Sequence, residues 1–71
     1  MAEEIRAEIV ANVARVDVRV GDEVTGGTTV VLLESMKMEI PVLPEGPGRV
    51  SRISVKEGDV VQEGDLIAVV E

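Results

Sequence analysis

Few side chains in this 71-residue chain can do covalent chemistry. There is no Cys and no His, which removes thiol nucleophiles, disulfides, thiolate metal sites and imidazole bases. Against that background Lys37 stands apart. It is one of two lysines, sits at the midpoint of the chain, and lies within Glu34-Ser35-Met36-Lys37-Met38-Glu39. A lysine amine on its four-carbon stem is a nucleophile once deprotonated. Near neutral pH such an amine is mostly protonated, and no residue of this sequence is suited to act as its base. Acylation of Lys37 must therefore be done by another protein. The chemistry is that of a substrate, not of an enzyme, and no catalytic residue and no metal site are expected.

The remaining polar residues carry less. Lys56 falls where an internal repeat places Arg19, so that position asks only for positive charge. Asp22 and Asp59 each follow a glycine and read as turn formers rather than acids or metal ligands, and no acidic cluster has calcium-loop spacing. A formal charge of −7 opposes binding to nucleic acid or to anionic membranes. No apolar run approaches the roughly 18 residues of a membrane span. The start, Met1-Ala2-Glu3-Glu4, lacks the basic character of a signal peptide, and Met1 reads as a natural start. A soluble, cytoplasmic, monomeric protein is expected.

What must position Lys37 is written twice. Residues 11–34 align with residues 48–71 at an offset of 37 without a gap, matching Val13 with Val50, Arg15 with Arg52, Val18 with Val55, Gly21 with Gly58, Asp22 with Asp59, Val24 with Val61, Gly27 with Gly64 and Glu34 with Glu71. Upstream, Glu4-Ile5 matches Glu39-Ile40 at an offset of 35, which predicts two extra residues in the second copy near Pro44-Glu45-Gly46-Pro47. The chain reads as one domain with copies at 4–34 and 39–71. Val16, Val18 and Val20 alternate with charged residues as a half-buried strand does, and Ile53 and Val55 repeat that parity. Val13 and Val50 break it by one, which predicts a bulge or a strand end. Val30-Val31-Leu32-Leu33 and Leu66-Ile67-Ala68-Val69-Val70 are short apolar runs suited to strands covered on both faces. Gly21-Asp22, Gly26-Gly27, Gly58-Asp59 and Gly64-Asp65 mark turns, and Pro41, Pro44 and Pro47 exclude a helix at the start of the second copy.

About eight short strands follow, four per copy, closing into a small all-β sandwich or flattened barrel. Without Phe, Tyr or Trp its core is built from branched aliphatics alone. A pseudo-two-fold relation between the copies would bring the chain termini together at one end. Lys37 would then lie at the other end, in the link that the repeat cannot duplicate. Two methionines beside an exposed turn are hard to bury, so Met36 and Met38 are expected to meet a modifying enzyme rather than fill the core. Glu34, Ser35 and Glu39 complete the flanks of the turn, although Glu71 at the place equivalent to Glu34 suggests an ordinary charged strand end there.

The stretch Glu34-Ser35-Met36-Lys37-Met38-Glu39 resembles the attachment motif of biotinyl carrier domains, usually Glu-Ala-Met-Lys-Met. Val18-x-x-Gly21-Asp22-x-Val24-x-x-Gly27 before it, and Val55-x-x-Gly58-Asp59-x-Val61-x-x-Gly64-Asp65 after it, are similar to the two halves of that family. The resemblance covers nearly the whole chain and is closest to the small stand-alone biotinylated proteins of mycobacteria. It implies a flattened barrel of two four-stranded sheets, with biotin in amide linkage to Lys37, placed there by a biotin protein ligase. It further implies that biotin carries carboxylate from a biotin carboxylase to a carboxyltransferase acting on an acyl-CoA. Ser35 stands where the family usually has Ala, and Ile9-Val10-Ala11-Asn12 stands where it often has Pro-Met-Pro-Gly. The gap-free repeat leaves no room for a protruding thumb loop, which implies an unshielded biotin. A lipoyl carrier on the same scaffold is the nearest alternative, but there the lysine usually follows Asp, and Met36 and Met38 speak against it. A biotinylated interaction module without a carboxylase role is the other.

Overall fold

A computed structural model describes residues 2–71; Met1, read above as the natural start, lies outside them. Eight strands follow in order: β1 (Glu3–Arg6), β2 (Ala11–Val16), β3 (Glu23–Val24), β4 (Val31–Ser35), β5 (Met38–Val42), β6 (Gly48–Ile53), β7 (Val60–Val61) and β8 (Leu66–Val70). They form two antiparallel four-stranded sheets with strand orders β1-β8-β6-β3 and β5-β4-β2-β7. No helix occurs among the described residues, and therefore none long and apolar enough to cross a membrane. The molecule measures 32 × 19 × 18 Å.

The repeat is a two-fold relation between the sheets. Advancing each strand by four places turns β1-β8-β6-β3 into β5-β4-β2-β7, so each sheet takes two strands from each copy. Neither copy can bury its apolar positions without the other. One shared core results, and Val30, Val31, Ile67 and Ala68 within it have no exposed surface. The hydrogen bonds repeat as the letters do. Gly21 N–H donates to Val50 O and Gly58 N–H to Val13 O, while Val50 N–H donates to Asp22 O and Val13 N–H to Asp59 O.

Of the two readings of the parity break at Val13 and Val50, a bulge or a strand end, the structure shows bulges. Ala14 is the extra residue between Val13 and Arg15 opposite β4, and Ser51 the extra residue between Val50 and Arg52 opposite β8. Each turns the valine inward while the following arginine stays outside. Asp22 and Asp59 are the turn formers expected. Their carboxylates accept the N–H of Arg19 and of Lys56 at 2.9 and 3.0 Å.

Two expectations are corrected. The first strands correspond at an offset of 37, not 35. Glu4 pairs with Val69 and Ile5 with Ala68, while Pro41 pairs with Leu32 and Val42 with Val31. No residues are inserted near Pro44-Glu45-Gly46-Pro47. A slip of two preserves which side chains face inward, so the chance likeness of Glu4-Ile5 to Glu39-Ile40 satisfied the pattern as well as the true register does. Second, the alternation beginning at Val16 does not run to Val20. The strand ends at Val16, Val18 is still buried, and Val20 is exposed where the chain turns into Gly21.

Candidate functional site

The site is built by β4, β5 and the two residues between them. Val31 and Leu33 anchor β4 in the core, and the ladder runs in register from Val31–Val42 out to Ser35–Met38. That leaves Met36 and Lys37 to reverse the chain. Both adopt positive φ, 53° and 65°, the requirement of a type I′ hairpin, whose twist matches that of the flanking strands. Such turns ordinarily use Asn-Gly because a Cβ in the left-handed region costs about 1–2 kcal/mol per residue. Here two long side chains occupy it.

The consequence is a presented amine. Lys37 is exposed at the tip, with Met36 88% and Met38 57% exposed on either side. The ion pairs among the described residues join Arg6 to Glu4, Arg15 to Asp17 and Arg49 to Glu23, and none engages Lys37. Ser35 is half-buried at the end of β4, while Glu34 and Glu39 are exposed and directly opposite one another across the ladder. Like charges so placed repel. Arg15, on the neighbouring β2, offsets part of this. Its guanidinium binds the Asp17 carboxylate, with Nη2 to Oδ2 at 3.0 Å. That hydrogen bond, then the Asp17 charge and, least, Glu39 raise Arg15 above its ordinary value. The same hydrogen bond lowers the Asp17 carboxyl below its own.

The structure thus gathers Glu34, Ser35, Met36, Lys37, Met38 and Glu39 on one hairpin. It adds Arg15, which the sequence did not single out because only strand pairing brings it near Glu39. The first and last strands, β1 and β8, pair side by side in the other sheet. Glu3, which pairs with Val70, accepts the N–H of Glu45 at 3.0 Å through its carboxylate. Glu45 lies three residues beyond the far end of β5, whose run from Met38 to Val42 alone spans about 13 Å at ~3.3 Å per residue.

Residues 3–70 match the family model described as biotin-requiring enzyme. The chain belongs to that family. It is 61% identical over 70 residues to the biotinylated protein TB7.3 homolog of Mycobacterium leprae, covering 99% of each chain. Among solved structures it resembles the urea carboxylase of Kluyveromyces lactis at a TM-score of 0.92 and 37% identity, covering all of this chain and 6% of that one. It also resembles a single-chain, multi-domain long-chain acyl-CoA carboxylase at a TM-score of 0.89 and 31% identity, covering 96% of this chain and 7% of that one. The resemblance to small biotinylated proteins of mycobacteria, the two-sheet biotinyl fold and biotin as the family's cofactor accord with these matches. Lys37 is exposed at the hairpin tip and clear of every ion pair among the described residues.

Proposed function

We propose that this protein is a biotin carboxyl carrier in which Lys37 is the attachment residue. The observation that carries this reading is the Met36-Lys37 turn. It presents an amine at an exposed hairpin tip, on a backbone that takes positive φ at both residues. A biotin protein ligase would form the amide, reading Met36 and Met38 beside the amine, with Glu34, Ser35 and Glu39 as the flanks of the turn. When bound, biotin supplies the site that takes up and gives up a carboxylate. The chain itself supplies a short exposed hairpin and no enclosing loop, because only Asp17–Asp22 separate β2 from β3. Tethering makes transfer between two active sites effectively intramolecular, raising local concentration without tight docking.

The proposed partners are the biotin carboxylase and carboxyltransferase components of an acyl-CoA carboxylase, in a cytoplasmic setting, with the carrier monomeric and without catalytic activity of its own. The likeness to an acyl-CoA carboxylase supports the acyl-CoA, and the likeness to a urea carboxylase makes urea the acceptor to test beside it.

Intact mass and avidin blotting of protein from its native host test the attachment. One biotin per chain is expected, abolished by Lys37→Arg and retained in Lys56→Arg. Unmodified Lys37 in cells with an active ligase would overturn the reading. Carboxylation of an acyl-CoA by purified carboxylase subunits, dependent on the added biotinylated protein, tests the carrier role.

A further inference from the structure

The two sheets do not close against each other on every side. Where the edge strands β1 and β5 face one another they leave an open groove of about 430 Å³, within the range of ~300–1,000 Å³ typical of ligand pockets. Its floor is apolar, with Ile5 and Leu33 buried beneath, and Ile9 and Leu43 standing 40% and 45% exposed along it. Its border is acidic, with Glu3, Glu4, Glu8 and Glu45 against a single cation, Arg6. That cation is engaged, since Arg6 binds Glu4 and the Gly64 carbonyl at 3.0 and 2.8 Å. The groove is therefore an aliphatic trough in a negative field.

Which occupant fits follows from what the groove excludes. A strand cannot readily extend either edge. Val42 O accepts the N–H of Val30, so the Val42 backbone faces β4, and the preceding Pro41 presents the free edge with no N–H to give. The β1–β8 ladder shifts register between Ile5 and Arg6, where Ile67 is the extra residue on β8, and the local twist this brings to the β1 edge is a second device against strand addition. A second copy of this chain would bring its own charge of −7 to the same field, and a polyanionic ligand such as a coenzyme A ester would be repelled by the same carboxylates. What remains is a protein surface offering aliphatic side chains framed by Lys or Arg.

Position selects among such proteins. Ile40, on the groove wall, is three residues from Lys37, or about 10 Å along the strand. An enzyme that acts on the lysine amine itself must approach within one side-chain length of the hairpin. A standard interface covers ~800 Å² per partner, about one-sixth of this molecule's 4625 Å² surface, so its footprint extends well beyond the tip. An enzyme acting at the far end of a loaded arm has no such need.

We infer that the β1–β5 groove is the docking site of the ligase that acylates Lys37, which seats an aliphatic, Lys- or Arg-framed surface there. The inference rests on the carrier reading above. It is tested with the host's biotin protein ligase, biotin and ATP, by measuring kcat and KM for the carrier protein. In the double variant Glu8→Lys/Glu45→Lys, and separately in Leu43→Ser, KM should rise about tenfold with kcat within about twofold. The salt dependence of KM should weaken in the charge variant alone. Glu57→Lys/Glu63→Lys, with the same charge change in the turns flanking β7, should match wild type. Circular dichroism and urea midpoints check that each variant is folded, and Glu8→Gln/Glu45→Gln replaces the lysine pair if that one is not. An unchanged KM in folded groove variants, or an equal rise in the Glu57→Lys/Glu63→Lys control, overturns the docking site while leaving the carrier reading in place. A wild-type chain that takes no biotin overturns both.

Discussion

The turn at Gly58 and the turn at Lys37 do the same mechanical work by opposite means. Gly58, at φ 94°, takes a left-handed conformation that glycine adopts freely, and the Asp59 carboxylate ties the loop down through the Lys56 N–H. Its repeat mate, Gly21 with Asp22, is built alike. The Lys37 turn has neither device. Met36 and Lys37 hold positive φ with full side chains, and Glu34 opposes Glu39 at its base. Local rules are obeyed where the chain needs only to fold, and broken where it presents an amine. The well-packed ladder from Val31–Val42 outwards holds the unfavourable turn in place, as strain at functional sites requires.

That contrast can be broken by mutation. The scaffold should be least forgiving at Gly48. A Cβ there would stand 2.5 Å from Val70 Cγ1 and 2.7 Å from the Glu71 carbonyl oxygen, so Gly48→Ala should destabilise by up to about 3 kcal/mol, as overpacking does. Urea denaturation measures it, and a cost below about 1 kcal/mol would show that the β8 end yields easily. Gly58→Ala meets open space. Its cost should be the backbone term alone, about 1–2 kcal/mol.

Met36→Gly should move the other way. Relieving one left-handed side chain should stabilise the fold by about 1 kcal/mol while slowing biotinylation by the ligase several-fold, because a contact beside the amine is lost. Equal or faster labelling with raised stability would mean the turn is held for shape alone.

The smallest effect concerns Asp17. Its carboxyl is lowered by the hydrogen bond from Arg15, so its contribution is present above the unfolded Asp value of about 3.9 and is lost as pH falls through the lower folded value. The difference in urea midpoint between wild type and Asp17→Asn should therefore shrink from pH 7 towards pH 2. Ser54 holds the equivalent place beside Arg52, and Ser54→Asp should create the same pH dependence in the second copy.

Much of this could be read in the letters. Glycine and aspartate at matched positions announced the turns, because few residues tolerate those conformations. The parity break at Val13 and Val50 announced the bulges, because side chains in a strand alternate strictly. Lys37 was legible because a gap-free repeat has no mate for its own junction. The register of β1 was not legible, since a shift of two leaves every side chain on its proper face. Nor was the end of β2 at Val16, where the valine pattern continued into a turn.

The sequence by itself determined an all-β chain in two matched halves, with a lysine at the junction and neither His nor Cys anywhere in it. Those are matters of residue type and spacing, which are local. Only the tertiary structure decided that the halves exchange strands between two sheets. The same closure sets Arg15 near Glu39 and leaves an acidic, apolar groove between β1 and β5. These juxtapositions join residues more than 20 apart in the chain, and only backbone pairing and burial of one shared core bring them together.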